Sequence, residues 1–145
     1  MDAAKVKELS VVALKIRRNI IEAVYSAQSG HPGGSLSIAD ALAYLYFDKM
    51  RIDPGRPDWA ERDRFVLSKG HCSPALYAAL ALRGYFPLSE ISGFRHYGRM
   101  LQGHPDMHMV PGVDMSTGSL GQGISAACGM ALGGKLDEKD YRVYA

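Results

Sequence analysis

Phe65-Val-Leu-Ser-Lys-Gly-His-Cys-Ser-Pro-Ala-Leu-Tyr-Ala-Ala-Leu-Ala-Leu-Arg-Gly84 holds a complete structural unit in one run. Phe65-Val66-Leu67 is a short continuous apolar segment, the pattern of a buried strand. Ser73-Pro74 marks a helix start, because proline at the first turn has its φ already set and no N–H to lose. Gly84 directly after Arg83 marks the end. A buried strand that leads through a polar loop into an apolar helix is half of a βαβ unit. The expected class is therefore α/β, with helices layered on a mostly parallel sheet.

The flanks extend this reading. From Lys5 to Ser29 apolar residues recur at Val6, Leu9, Ala13, Ile16, Ile20, Val24 and Ala27, a helical stripe that Gly30 should stop. A second helix is expected from Ser37, with Asp40 completing a weak capping box. Its body, Ala41 to Phe47, is apolar all round and so should be buried on several faces. Arg51 to Asp63 reads as a polar loop, and Ser89 to Arg95 as one more short helix. His96 to Met115 keeps no period and reads as an irregular loop of the length that is usually either functional or disordered. Leu120 to Leu136 is a glycine-rich helix. Glycine costs about 1 kcal/mol at each interior helical position relative to alanine, so several together predict close backbone approach. Tyr141 to Ala145 begins a further strand, expected at an edge open to pairing with another chain.

Composition narrows the function. The chain has 145 residues, a net charge of +2, 47% hydrophobic and 22% charged residues. These values suit a globular domain and give no basic stripe for nucleic acid. The uncharged stretch Ser116 to Gly134 carries six glycines and several hydroxyl residues, too polar to span a membrane. The opening MDAAKVKELS lacks the apolar core of an export signal. Cys72 and Cys128 match no metal or redox spacing and are read as small, partly buried thiols. A cytoplasmic location is expected.

Sixteen glycines and five histidines predict about half of one Gly-His pair by chance. Three occur, Gly30-His31, Gly70-His71 and Gly103-His104, each in a loop after a predicted element. Glycine lets the backbone approach a ligand, and imidazole can exchange a proton near neutral pH. A metal site using His104, Asp106 and His108 is one alternative, although the spacing fits no established zinc motif. An anionic ligand is favoured, because Thr117-Gly-Ser-Leu-Gly-Gln-Gly123 brings glycine-rich backbone to a helix start. His96 and His108 read as loop-surface residues. The Tyr44, Tyr46 and Phe47 cluster reads as core, and Lys69 and Arg95 as solvated or in reach of a phosphate.

Ser29-Gly-His-Pro-Gly-Gly34, Ser68-Lys-Gly-His71, Gly103-His-Pro105 and Thr117-Gly-Ser-Leu-Gly-Gln-Gly123 resemble successive motifs of the transketolases, in order and over essentially the whole chain. The resemblance is to the N-terminal, diphosphate-side part of these enzymes. It implies a three-layer thiamine-diphosphate-binding α/β domain of which residues 1–145 form the N-terminal portion, incomplete at the C-terminus. It implies catalytic roles for His31, near the reacting carbons, and for His104, at the donor sugar's hydroxyl. His71 would help hold the diphosphate, and Gly118 and Leu120 would lie along the aminopyrimidine through their backbone.

The implied reaction moves a two-carbon ketol unit from a ketose phosphate to an aldose phosphate. The cofactors are thiamine diphosphate and Mg2+. In the family the magnesium ligands, a Gly-Asp-Gly segment and a later asparagine, follow the strand begun at Tyr141, so they would fall beyond Ala145. No metal ligand is assigned within the chain. The activating glutamate belongs to a different domain or polypeptide. The implied partners are sugar phosphates and a complementary C-terminal transketolase subunit, in a homo- or hetero-oligomer. Two other readings stand beside this one: a non-catalytic paralogue or fragment that acts only by association, and a related enzyme such as deoxyxylulose phosphate synthase.

Overall fold

Asp2 starts the first helix, its carboxylate accepting the Lys5 N–H at 2.8 Å. In the computed structural model, which describes residues 1–145, helix α1 runs Ala3–Ala27. Its buried stripe is Leu9, Ala13, Ile16, Ile20 and Ala23, alternating steps of four and three. Val6 is exposed, so the stripe is narrower than expected. The helix ends before Gly30: Gln28 takes the left-handed conformation at φ 48 and turns its N–H back to Tyr25 O. Gly30, at φ 150, instead lets the chain fold back over α1, where a Cβ would lie 2.8 Å from Val24 Cγ2.

Two short helices replace the expected second helix. Helix α2 spans Pro32–Leu36 and α3 spans Ala39–Tyr44, continued by a π-helical turn at Leu45–Lys49. The capping box does not form. Ser37 Oγ donates back to Gly34 O at 2.9 Å, and Asp40 pairs with the Arg17 guanidinium on α1. That guanidinium holds the Asp40 carboxyl below the usual carboxylate range. Nor is this segment buried all round: Ala39, Leu42, Ala43 and Tyr46 face inward, while Ala41 and Tyr44 are exposed.

The unit at 65–84 forms close to expectation. Strand β1, Arg64–Phe65, leads through buried Val66 and Leu67 into a 3-10 turn at Gly70–Cys72 and then α4, Ser73–Arg83. Gly84 ends α4 at φ 100. Every residue of α4 from Ser73 to Ala81 is buried, which makes it the centre of a core shared with α1 and α3. Ser89 to Arg95 is a 3-10 turn, Leu88–Gly93, rather than an α-helix. Its Ile91 and the following Phe94 plug the same core.

Helix α5 runs Gln122–Leu136, and β2, Val143–Tyr144, pairs in parallel with β1. Arg64 stands opposite Val143 and Phe65 opposite Tyr144, and Val66 N–H extends the ladder to Tyr144 O at 2.8 Å. Two carboxylates bind the strand ends. Asp63 accepts from Arg51 N and Arg142 N at 2.9 and 2.8 Å, and Asp114 accepts from Phe65 N at 2.7 Å. Close approach of the glycine-rich helix occurs at two points. A Cβ on Gly123 would stand 2.7 Å from Ser68 Cα, and one on Gly134 would stand 2.8 Å from the Tyr141 ring. Gly129 and Gly133 face open space. Cys72 is buried and Cys128, on the bare side of α5, is exposed rather than partly buried. No helix is long and apolar enough to cross a membrane.

Candidate functional site

The loop between β1 and α4 is the point where the sequence motifs meet. Lys69 Nζ donates to Gly34 O at 2.7 Å and to Ser37 Oγ at 3.0 Å, which fixes the end of α2. Gly34 packs so closely that a Cβ there would meet Cys72 Sγ at 2.5 Å. On the same side His31 meets His71 edge-to-face, ring centroids 5.0 Å apart at 70°. His31 is exposed and His71 half-buried.

Toward the Gly103-His-Pro105 segment, Ser73 Oγ donates to Gly103 O at 2.9 Å. The Tyr77 hydroxyl lies 2.9 Å from both Gln102 O and His104 O. Burial pushes the Tyr77 phenol far above its ordinary value, so it stays a neutral donor to these carbonyls. Toward the glycine-rich turn, Thr117 Oγ1 donates to Leu67 O at 2.8 Å, and Gly70 leaves no room for a Cβ against the Thr117 backbone. Ser68 Oγ accepts the Ile124 N–H at 3.2 Å, at the start of α5. His104 closes the ring: a Cβ on Gly118 would lie 3.5 Å from its imidazole carbons.

The structure thus pairs His31 with His71 and His104 with Gly118, and the loop at 67–73 joins the pairs. Leu120 is 72% exposed at the mouth of the turn. The turn's N–H groups are not all free, because Gln122 N–H bonds Ser119 O and Ile124 N–H bonds Ser68 Oγ. Lys69 and Arg95 are half-buried, and each is bonded within the chain. Lys69 holds α2, and Arg95 Nη1 donates to Ser29 Oγ at 2.6 Å. Ser68, Ser73, Tyr77 and Thr117 are positioning residues to which the sequence reading gave no such role. The signal was present in part, because Ser68 and Thr117 open two of the motifs and Ser73 starts α4.

Burial pushes the Cys72 thiol up, partly countered by the Lys69 charge. Cys72 therefore acts as packing beneath Gly34 rather than as a thiolate nucleophile.

The alternative metal site does not assemble. No group of three or more His, Cys, Asp or Glu side chains stands together, and Asp106 spends a carboxylate oxygen on the His108 N–H at 2.9 Å. His96 and His108 are exposed, as expected. A cavity of about 520 Å³ lies elsewhere, between the 107–114 loop, Arg62, Arg64, Met130 and Tyr141. Its charged groups answer one another: Arg62 pairs with Asp114 at 2.5 Å, and Arg64 lies over the Tyr141 ring. The chemistry-bearing side chains are on the open face instead.

The exposed imidazoles of His31 and His104 beside a glycine-rich turn suit an anionic ligand better than a caged metal. The scaffold is that of an α/β domain which binds a diphosphate-bearing cofactor. A family model described as transketolase, thiamine diphosphate binding domain, matches residues 9–142, and the chain belongs to this family. It is 54% identical over 129 residues to a 6-deoxy-6-sulfo-D-fructose transketolase subunit, SqwG, from Clostridium sp. (strain MSTE9), covering 89% of this chain and 47% of that one. It is 43% identical over 140 residues to one of the subunits of the apulose-4-phosphate transketolase of Phocaeicola vulgatus, covering 97% and 50% respectively. The chain thus spans about half the length of these curated relatives. Among solved structures, transketolase from Campylobacter jejuni superposes with a TM-score of 0.89 at 33% identity, over 99% of this chain and 23% of that one.

Proposed function

We propose that residues 1–145 are the N-terminal portion of a single thiamine-diphosphate-binding domain and supply the diphosphate-side half of a transketolase-type active site. The observation that carries this is the convergence of all four motifs on the loop at 67–73, through Lys69, His71, Ser73 and the Thr117–Leu67 bond. In this reading His71 donates to the diphosphate, supported from behind by Gly34 and Gly70, whose missing side chains let the motif loops close onto Cys72 and Thr117. The open backbone at Gly118 and Leu120 lies along the aminopyrimidine. His31 faces the reacting carbons. His104 takes and returns the proton of the donor sugar's hydroxyl, with its own carbonyl held by Tyr77 so that the ring stays aimed. Thiamine diphosphate, when bound, supplies the carbanion stabilisation that lets a carbon–carbon bond break and re-form.

The substrates in this reading are sugar phosphates, a ketose as donor and an aldose as acceptor, and the setting is the cytoplasm. Both of the relatives described above are named as subunits, which supports a complementary C-terminal polypeptide as partner, in a homo- or hetero-oligomer. Magnesium, in this reading, would be held by the family's ligands, which follow the strand begun at Tyr141.

The test is reconstitution. The chain is mixed with its complementary subunit, thiamine diphosphate and Mg2+, and ketol transfer is followed across a panel of ketose and aldose phosphates. Activity that falls about 10²–10⁴-fold in His104→Ala, with folding intact, supports the assignment. Stable association with no transfer on any substrate would replace it with the non-catalytic reading. Activity only with an α-keto acid donor would point to the related synthase.

A further inference from the structure

Three non-glycine residues have left-handed backbone: Gln28, Arg95 and Glu138. Gln28 caps α1 and Glu138 follows α5, both with exposed side chains. Arg95 differs, because at φ 60 its side chain turns inward. Glycine adopts this conformation at no steric cost, and five glycines of the chain do so. A long cation at such a position is held there by what its side chain touches.

The guanidinium touches both histidine-bearing loops. Nη1 donates to Ser29 Oγ at 2.6 Å, two residues before His31. A Cβ on Gly103 would lie 3.0 Å from Arg95 Nε and 3.2 Å from Nη2, so the planar group rests directly against the residue before His104. Phe94 supports it from below at 5.4 Å, and Arg95 N–H anchors the turn to Leu101 O at 2.8 Å. Buried Nε bonds nothing, so this arrangement is not one that maximises hydrogen bonds.

We propose that Arg95 is a positioning residue, a flat clasp that sets the spacing between the loops of His31 and His104. This inference rests on the functional reading above for its purpose, but its geometry can be tested without it. Clasp and simple fold support predict opposite results for Arg95→Gly. Glycine relieves the left-handed strain and reduces bulk at Gly103, yet removes every contact to Ser29.

In the chain alone, Arg95→Gly should melt at or above the wild-type temperature. The backbone signals of Ser29 and Gly103 and the ring signals of His31 and His104 should shift and broaden in heteronuclear NMR spectra. Arg95→Lys keeps a donor for Ser29 and should move the same signals less. In the reconstituted assembly, kcat of Arg95→Gly should fall about 10–10²-fold with little change in KM, the mark of misplaced groups rather than lost binding. The clasp is overturned if the four signals stay in place. It is equally overturned if Arg95→Gly lowers the melting temperature or fails to fold, because Arg95 would then be holding the fold. If the wild-type assembly has no transferase activity, the functional reading fails, and the spectra still decide the clasp.

Discussion

Helices α4 and α5 are both poor in charge and meet opposite fates. Each enters from a motif loop, each is almost wholly apolar, and each carries one basic residue near its end, Arg83 or Lys135. Helix α4 buries nine of its eleven residues, including the large Leu76, Tyr77 and Leu80. Helix α5 buries three of fifteen, all of them small: Gly123, Ala127 and Gly134. One helix is held by side-chain volume and the other by close backbone contact, with Tyr141 donating to Met130 O at 3.2 Å as a tether. Composition sets how much apolar surface a helix brings. The layers around it set how much is covered. The candidate site spans this divide, since His71 leads into α4 and Gly118 and Leu120 lead into α5.

The comparison breaks most directly by truncating one leucine on each helix. Leu76→Ala should cost up to about 5 kcal/mol, because a fully buried leucine leaves both lost transfer energy and a cavity. Leu132, 59% exposed, should cost no more than about 0.5 kcal/mol when changed to alanine. Paired urea titrations of the two variants measure the difference. Equal losses would mean that α5 is covered in solution by a layer that the chain itself does not supply.

A second test lies beside the start of β1, where Arg62 and Asp114 pair. Burial pushes the Asp114 carboxyl above the usual carboxylate range, against the pull of Arg62 and of the Phe65 N–H. Arg62→Met strips the counter-ion and should cost about 3 kcal/mol at neutral pH, the lower end for breaking a buried pair. A carboxyl raised in the folded state favours folding below its unfolded pKa and opposes it as pH rises through the folded value. The variant's deficit should therefore be small in acid and grow as pH increases. Stability curves of the two proteins across pH read this directly. A constant deficit would show that Arg62 acts by packing alone.

The α4 unit was legible because its signals are local: an apolar triplet, a Ser-Pro start and a glycine stop within 20 residues. The region before it was not. The second helix was expected from Ser37, yet a helix already forms at Pro32–Leu36, and its Gly34 carbonyl is held by Lys69, 35 residues away. Ser37 and Asp40 read as a cap until Arg17 takes the aspartate. The Gly-His pairs were visible as an excess over chance, and the metal alternative failed because no cluster of ligating side chains assembles at His104, Asp106 and His108. What no spacing could show is the hub at 67–73, whose partners lie some 30 to 56 residues away along the chain. The exposure of Cys128 was hidden for the same reason: nothing in an apolar helix states which neighbours it will find.

The smallest effects test whether the backbone contacts of α5 are what hold it, and there the sign matters more than the size. Glycine to alanine inside a helix ordinarily gains about 0.5–1 kcal/mol by removing backbone freedom from the unfolded chain. Gly129 faces open space, so Gly129→Ala should show that gain. Gly123 meets Ser68 Cα, an atom that cannot swing away as a flexible side-chain tip could. Gly123→Ala should reverse the sign and lose about 1–3 kcal/mol through overpacking. It should also weaken the Ile124–Ser68 bond that ties the glycine-rich turn to the histidine loop. Melting curves give the two signs, and amide exchange at Ile124 shows where the change is felt. If both variants gain stability, α5 is not seated on Ser68, and the turn carrying Gly118 and Leu120 is positioned from its other side, by Thr117.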